Sequence, residues 1–194
     1  GAMTVIADDN GVLGFGGIIG GETTGCTEET RNVFVECAYF DPLRTAKTGR
    51  KTGIHSDARH RFERGVDPDF VVPGLELATR IILDLCGGSP SAIEIAGAKP
   101  KADKVVAFPP SEVKRLTGID VDPQKSEAIL TALGFKVSRA DLWLVDVPSW
   151  RPDVDGKADL VEEIARIVGF AALPAEPLPA RAAVEMPKLT PAQD

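Results

Sequence analysis

Residues 122–138 read Asp122-Pro-Gln-Lys-Ser-Glu-Ala-Ile-Leu-Thr-Ala-Leu-Gly134-Phe-Lys-Val-Ser138. The side chain of Asp122 can accept a hydrogen bond from the first turn of a helix, and proline is favoured at the first helical position after such a cap. Gly134 favours the left-handed conformation in which many helices end. This stretch therefore predicts a helix from Pro123 to Leu133, followed at once by a strand.

The neighbouring sequence predicts a small unit around this helix. Lys104 to Phe108 predicts a strand, and Pro110 to Leu116 predicts a short helix that ends at Gly118. Phe135 to Ser138 and Leu142 to Val147 predict a β-hairpin. A strand, two helices joined by a short turn, and a hairpin give the order of a winged helix-turn-helix.

Base-specific reading of DNA is disfavoured for this unit. A reading helix needs arginine, asparagine or similar side chains that face the groove. The helix after Asp122 offers only Lys125, which Glu127 balances. A structural or protein-docking use of the unit is the favoured interpretation.

Acidic residues cluster at the start of the last predicted helix. The chain reads Ser149-Trp-Arg-Pro-Asp153-Val-Asp-Gly-Lys-Ala-Asp159-Leu-Val-Glu162-Glu163, and the helix is predicted to open near Lys157. Three of the carboxylates then share one helix face, with Asp153 in the loop before them. Converging carboxylates repel one another unless Mg²⁺ or a basic partner surface joins them. A solvated helix start, favoured by the helix dipole, is the alternative.

The first segment, from Thr4 to about Ala98, is rich in glycine and β-branched residues. Gly14 to Gly21 predicts a strand and a turn, without the lysine of a phosphate-binding loop. Two further strands are predicted, at Asn32–Phe40 and Ser91–Ala96. Two helices are predicted as well, one opening at Asp41-Pro42 and an amphipathic one over Asp69–Leu85 that stops at Gly87-Gly88. Together the two segments predict an α+β protein.

Glu36 stands at the end of an apolar run in the first segment. A carboxylate in such a place must be paired, hydrogen-bonded or facing a pocket. The residues alone leave a pocket and a core ion pair equally open.

Composition limits the function classes. The chain has 194 residues, of which 43% are apolar, which suffices for one large or two small domains. The net charge of −7 argues against a protein that coats nucleic acid over its whole surface. The charge is uneven. The stretch from Arg44 to Arg64 contains seven Lys/Arg and two His but only two acidic residues, Asp57 and Glu63. A local basic surface is therefore expected.

Cysteine usage and hydropathy indicate the compartment. Cys26, Cys37 and Cys86 form no Cys-x-x-Cys pair, so neither a disulfide framework nor a zinc site is indicated. No signal peptide and no apolar run long enough to span a membrane is present. The sequence therefore predicts a cytoplasmic protein without a membrane partner.

Several motifs in order resemble the β-subunit family of bacterial phenylalanyl-tRNA synthetases. They are Gly16-Gly-Ile-Ile-Gly-Gly21, Thr27-Glu-Glu-Thr-Arg-Asn-Val-Phe-Val-Glu36, Ser56-Asp-Ala-Arg-His-Arg-Phe-Glu-Arg-Gly-Val-Asp-Pro68, Val147-Pro-Ser-Trp-Arg-Pro-Asp153 and Asp159-Leu-Val-Glu-Glu-Ile-Ala-Arg166. The similarity runs from about Gly11 to Pro174. Agreement of this many separate motifs in one order is far more specific than any single pattern.

The resemblance implies a domain organisation. Residues 4–98 would be the C-terminal part of an α/β domain that edits misacylated tRNA, truncated at its start. Residues 99–103 would be a linker, and residues 104–174 a winged-helix-like domain. Residues 175–194 would be a proline-rich linker to a catalytic-like domain that this sequence does not contain.

The resemblance also implies site residues in the first segment. By position, Gly20 and Ala58 correspond to walls of the editing pocket, Glu36 to the carboxylate that recognises the tyrosine hydroxyl, and Ser56 to a residue beside the pocket. The family draws further polar residues, including a histidine, from a stretch upstream of these motifs. We therefore expect a half-built pocket and no useful hydrolysis by these 194 residues alone.

In the second segment, the resemblance implies a magnesium ion shared with an α subunit, at Asp153, Asp159, Glu162 and Glu163. Adenylation with ATP and aminoacyl transfer belong to that α subunit in an α2β2 assembly, so no residue of this chain is expected to bind ATP or to catalyse aminoacylation. Magnesium binding without the α subunit is expected to be weak. The Arg44–Arg64 stretch either faces the backbone of the phenylalanine tRNA or is a solvated helix face.

Two other readings compete with a synthetase segment. One is a standalone winged-helix module that binds nucleic acid or protein. The other is a metal-dependent hydrolase centred on the acidic cluster, which has no histidine nearby because His55 and His60 both lie in the first segment.

Overall fold

The computed structural model describes residues 3–101, 103–140 and 142–175. Within these ranges the chain forms two antiparallel sheets of three strands each and six α-helices, which confirms the α+β class. The predicted proline-rich linker at residues 175–194 lies almost entirely outside the described residues. No helix of the described ranges combines the length and the apolar content needed to cross a membrane.

The first sheet is a meander in the order β1-β2-β3. Strands β1 (Val5–Asp8) and β2 (Gly11–Phe15) form a hairpin, and β3 (Ile19–Gly20) returns antiparallel to β2. The turn between β2 and β3 needs glycine at position 17, where φ is +70° and a Cβ would lie 2.9 Å from the ring of Phe40. The predicted strand and turn over Gly14–Gly21 are therefore confirmed.

Helices α1 (Pro42–Thr52) and α2 (Asp57–Phe62) pack against each other. As predicted, Asp41 caps α1, with Oδ1 accepting the backbone N–H of Arg44 at 2.7 Å. The packing is close, since a Cβ on Gly49 would overlap the guanidinium of Arg59. That buried guanidinium donates to the carbonyl of Ile54 at 2.6 Å and to Glu63 at 3.0 Å.

Helix α3 (Val71–Cys86) confirms the predicted amphipathic helix, but it has no buried residue. A single 3₁₀ turn at Pro68–Phe70 precedes it, and the helix ends at Gly87 with φ +71°. Its apolar face is only partly covered: Leu75, Ala78 and Ile82 are half-buried, and Leu85 is 80% exposed.

Two predicted strands are wrong. Asn32–Phe40 and Ser91–Ala96 have irregular backbone, and Phe34 and Ile95 are 91% and 73% exposed. An apolar, β-branched run becomes a strand only where a neighbouring strand satisfies its backbone groups. In the described ranges neither stretch has such a neighbour.

The second segment has its own sheet and core. Strands β4 (Lys104–Phe108), β5 (Lys136–Ser138) and β6 (Trp143–Val147) form an antiparallel sheet in the order β4-β6-β5. Helices α4 (Ser111–Thr117), α5 (Pro123–Ala132) and α6 (Lys157–Val168) surround its inner face. The core contains Phe108, Val113, Leu130, Phe135, Val145, Leu160 and Ile164.

The elements predicted for this segment are confirmed to within two residues. Asp122 caps α5 by accepting the backbone N–H of Gln124 at 2.7 Å, and Gly118 ends α4 with φ +76°. The predicted order of strand, two helices, hairpin and acidic helix is observed. Assignment of this arrangement to the winged-helix class stays a prediction.

Candidate functional site

Two candidate sites follow from the sequence, and the structure places each on a different segment. The first consists of Gly20, Glu36, Ser56 and Ala58 in the first segment. The second consists of Asp153, Asp159, Glu162 and Glu163 around the start of α6.

A hydrogen bond between Ser56 and Ile18 joins the parts of the chain that carry Gly20 and Ala58. Ser56 Oγ donates to the carbonyl oxygen of Ile18 at 2.5 Å, across 38 positions of sequence. Ile18 is 2% exposed and stands two residues before Gly20, while Ser56 stands two residues before Ala58. The turn at the end of the first sheet is thereby tied to the start of α2.

The hydroxyl of Ser56 both donates to and accepts from the backbone. Besides donating to Ile18, it accepts the N–H of Arg59 at 3.0 Å and so caps α2. A serine that caps a helix satisfies one of its unpaired N–H groups. Ser56 therefore positions the surrounding backbone and has no hydroxyl proton left for a ligand.

Gly20 and Ala58 leave open space near the hydrogen bond between Ser56 and Ile18. Both residues are exposed, and a Cβ on Gly20 would meet no atom within 4 Å. The absence of bulk at these two positions suits a surface that receives another group. The role of these two residues as pocket walls stays a prediction.

Glu36 stands on irregular backbone and is exposed, and within the described ranges it takes part in no ion pair or hydrogen bond. The core ion pair left open by the sequence is therefore not observed there. Partial burial by neighbouring atoms raises the pKa of the Glu36 carboxyl. An unpaired, partly desolvated carboxylate gains from a hydrogen-bond donor that a ligand brings.

At the second site, Arg151 binds two of the candidate carboxylates. Its guanidinium donates to Asp153 through Nε at 2.9 Å and Nη2 at 2.6 Å, and Nη1 lies 3.1 Å from Glu163 Oε2. The guanidinium also lies over the ring of Phe135, with Cζ 5.6 Å from the ring centroid. The Arg151 guanidinium lowers the pKa of the Asp153 carboxyl, and the hydrogen bond to Asp153, followed by that to Glu163, raises the pKa of Arg151.

The remaining carboxylates have separate roles. Glu163 is buried and also pairs with Arg166 at 2.6 Å, and Arg166 followed by Arg151 lowers the pKa of Glu163. Asp159 Oδ2 accepts the backbone N–H groups of Asp155 at 2.8 Å and Gly156 at 2.9 Å, which closes the N-terminus of α6. Glu162 is exposed on the same helix.

The four carboxylates therefore do not converge as the sequence predicted. In the described part of the chain, no three His, Cys, Asp or Glu side chains are arranged to hold one metal ion. Magnesium needs free carboxylate oxygens in near-octahedral geometry. Here arginines bind the carboxylates of Asp153 and Glu163, and two backbone N–H groups bind Oδ2 of Asp159. As placed, these residues do not fit the ion, because the chain's own arginine supplies the positive charge.

Sequence reasoning missed a second carboxylate that links two helices. The carboxylate of Glu112 on α4 accepts hydrogen bonds from Nε and Nη2 of Arg115, both at 2.8 Å. Lys157 Nζ, at the start of α6, lies 3.0 Å from Glu112 Oε2. Arg115, followed by Lys157, lowers the pKa of Glu112 to about 2. The spacing of Glu112 and Arg115 could have signalled the first pair, whereas the Lys157 contact spans the fold.

Comparison with known proteins gives two family matches. Residues 1–87 match the B3/4 domain and residues 106–170 match the tRNA synthetase B5 domain. The chain is 56% identical over 190 residues to a protein of Mesorhizobium japonicum named phenylalanine–tRNA ligase beta subunit, covering 97% of this chain and 24% of that protein.

Proteins of the same name from other organisms are 51–56% identical to the chain. The one from Paramagnetospirillum magneticum is 56% identical over 192 residues, covering 98% of this chain and 24% of that protein. The one from Brucella suis is 51% identical over 183 residues, covering 94% and 23%. The chain thus spans about a quarter of the length of the curated relatives it matches.

Proposed function

Since this chain belongs to the phenylalanine–tRNA ligase β-subunit family, we propose that it is the editing-pocket, subunit-docking and tRNA-contact segment of such a ligase. The supporting observation is the continuous match of 97% of the chain, in which the B3/4 match precedes the B5 match. The relatives are named as aminoacyl-tRNA synthetase subunits. The activity, substrates and partners of the whole enzyme enter here as proposals for this chain.

The whole enzyme charges the phenylalanine tRNA at the expense of ATP. In this proposal the α subunit carries ATP and the aminoacylation chemistry in an α2β2 assembly located in the cytoplasm. Residues 4–98 belong to the editing domain and residues 99–103 link it to the winged-helix-like B5 domain at residues 104–174. This chain contributes no group to adenylation.

We propose that the first site removes tyrosine attached by mistake. Gly20 and Ala58 are its walls, Glu36 recognises the tyrosine hydroxyl, and Ser56 fixes the walls through Ile18. The support for Glu36 is its unpaired carboxylate with a raised pKa. A site built to hydrogen-bond a hydroxyl rejects a ligand that lacks it, by about 10⁴–10⁵ in favourable cases.

We propose that the acidic start of α6 faces the α subunit. The exposed Glu162, which takes part in no ion pair within the described ranges, is available to a basic surface there. In this proposal magnesium binds at Asp153, Asp159, Glu162 and Glu163. Arg151 must first release Asp153 and Glu163 for this binding to occur. We derive no step through the ion.

A replacement experiment tests the proposal. The 194 residues replace the matching segment of the Mesorhizobium japonicum β subunit, and the chimera is produced with the α subunit of the same organism. We expect an α2β2 assembly that charges the phenylalanine tRNA. A chimera whose grafted segment is folded, as shown by protection from limited proteolysis, but which neither assembles nor charges would refute the proposal.

A further inference from the structure

The outward face of α1 carries four cationic side chains. They are exposed and lie at Arg44, Lys47, Arg50 and Lys51. Positions 44, 47 and 51 follow one another at intervals of three and four residues, so they share one side of the helix. With a rise of about 1.5 Å per residue, these three span roughly 10 Å along the helix axis.

The inward face of α1 fixes which way these cations point. Thr45, Thr48 and Gly49 are buried, and Gly49 lies against the guanidinium of Arg59 on α2. Both threonines donate their hydroxyl protons to backbone carbonyls one turn earlier. Thr48 Oγ1 donates to the carbonyl of Arg44 at 2.8 Å, and Thr45 Oγ1 donates to that of Asp41 at 3.0 Å. The helix therefore cannot rotate its cations toward its own segment without losing this packing.

The cations of α1 differ from those of the second segment in having no acidic partner. Within the described ranges, none of the four takes part in an ion pair. In the second segment most cations are paired, with partners at 2.5–3.1 Å such as Lys104 with Asp155, Lys114 with Asp120 and Arg166 with Glu163. Favourable interaction with the helix C-terminus explains at most Arg50 and Lys51, and contributes about 0.3–1 kcal/mol each.

We propose that this face of α1 binds the phosphate backbone of an RNA. Cations spaced a few ångströms apart along a line match a strand that carries one phosphate at each nucleotide. Their number contrasts with the net charge of −7 of the whole chain, so the attraction is local. The choice of RNA over another polyanion rests on the proposed function, whereas the cationic face itself does not. Such contacts position a nucleic acid without reading its sequence.

The test compares two pairs of lysines in the full chain. Lys47→Gln/Lys51→Gln neutralises the proposed face. Lys125→Gln/Lys136→Gln removes the same charge from two exposed lysines of the second segment that have no ion pair within the described ranges. The probe is a transcript of the phenylalanine tRNA, and the dissociation constant is measured by fluorescence anisotropy from 50 to 200 mM salt.

We expect the Lys47/Lys51 variant to lose affinity and to show a shallower salt dependence. The slope of log K against log salt falls by about 0.7–0.9 for each phosphate contact that is lost. The control pair should change the slope much less. Equal losses in both variants would overturn the proposal, since they would report net charge alone, and so would an unchanged Lys47/Lys51 variant.

Two further outcomes separate this inference from the proposed function. If the Lys47/Lys51 substitutions abolish binding to the α subunit but leave RNA binding unchanged, the face docks a protein and the proposal is overturned. If they weaken RNA binding while the chimeric ligase fails to assemble and charge, the proposed function fails and the phosphate-binding face stands. Matching thermal unfolding of the two variants confirms that both are folded.

Discussion

The guanidinium of Arg151 lies 3.1 Å from the carboxylate of Glu163, where it joins the loop before α6 to the buried side of that helix. The same guanidinium holds Asp153, and the side chain of Arg151 is only 20% exposed. Arg151 thus neutralises two of the four acidic residues that the sequence groups into one cluster.

Substitution of Arg151 by methionine should destabilise the second segment. Methionine keeps an apolar stem over Phe135 but leaves Asp153 without its partner and Glu163 with Arg166 alone. We expect a loss of about 1–3 kcal/mol in the free energy of unfolding, measured by urea denaturation. Arg166→Met is the matched control and should cost less, because that side chain is 46% exposed. Equal costs would contradict the bridging role of Arg151.

Magnesium should bind the isolated chain only weakly. The oxygens of Asp153 and Glu163 are engaged by arginine, and Oδ2 of Asp159 by two backbone N–H groups. Isothermal titration of the chain with MgCl₂ should show no binding tighter than millimolar, and Arg151→Met should bind more tightly than the unmodified chain. Micromolar affinity of the unmodified chain would show that the carboxylates are free.

Stability in acid should depend on Glu112. Its pKa is lowered in the folded state to about 2 from an ordinary value of 4.5, because Arg115 and Lys157 favour the ionised form. A lowered folded-state pKa stabilises the fold at pH values above 4.5, and this contribution is lost as the pH falls from 4.5 toward 2.

The measurement is the urea midpoint as a function of pH. Glu112→Gln should be less stable than the unmodified chain at pH 7, and the difference should shrink below pH 4.5. Glu94→Gln, at an exposed position, serves as the control and should leave the profile unchanged. A difference that stays constant from pH 7 to pH 2.5 would mean that the ionised form of Glu112 is not favoured by folding.

Gly134 should tolerate alanine less well than Gly169 does. Both have positive φ, +92° and +102°, so either substitution costs about 1–3 kcal/mol in backbone strain. At Gly134 the new Cβ would also lie 2.8 Å from the ring of Trp150, whereas at Gly169 it would meet nothing within 4 Å. Thermal unfolding should show the larger loss for Gly134→Ala. Equal losses would mean that Trp150 yields without cost.

Local signals in the sequence predicted much of the second segment. Asp122 and Gly118 act within a few residues of their own positions, so the ends of α4 and α5 could be predicted without knowledge of the fold. The strand predicted at Asn32–Phe40 was wrong because a strand depends on its neighbour, which a run of apolar residues does not reveal.

In the candidate sites, too, local features could be predicted from the sequence and contacts between distant residues could not. The start of α6 at Lys157 follows from local signals and is observed as predicted. The ion pair between Arg151 and Glu163 depends on how the loop before α6 packs on that helix. The spacing of residues in the sequence could therefore not reveal it. The same holds for Ser56, since its partner Ile18 lies 38 residues away in the sequence.

We propose that Glu36 is the carboxylate that recognises misattached tyrosine. The most direct measurement is hydrolysis of tyrosyl-tRNA for phenylalanine by the chimeric ligase, with and without Glu36→Ala. We predict that Glu36→Ala lowers kcat/KM for this hydrolysis roughly 10- to 150-fold, equivalent to the 1.5–3 kcal/mol of a hydrogen bond to a charged group, and leaves charging with phenylalanine unchanged. Unchanged hydrolysis of tyrosyl-tRNA in the Glu36→Ala chimera would contradict the claim.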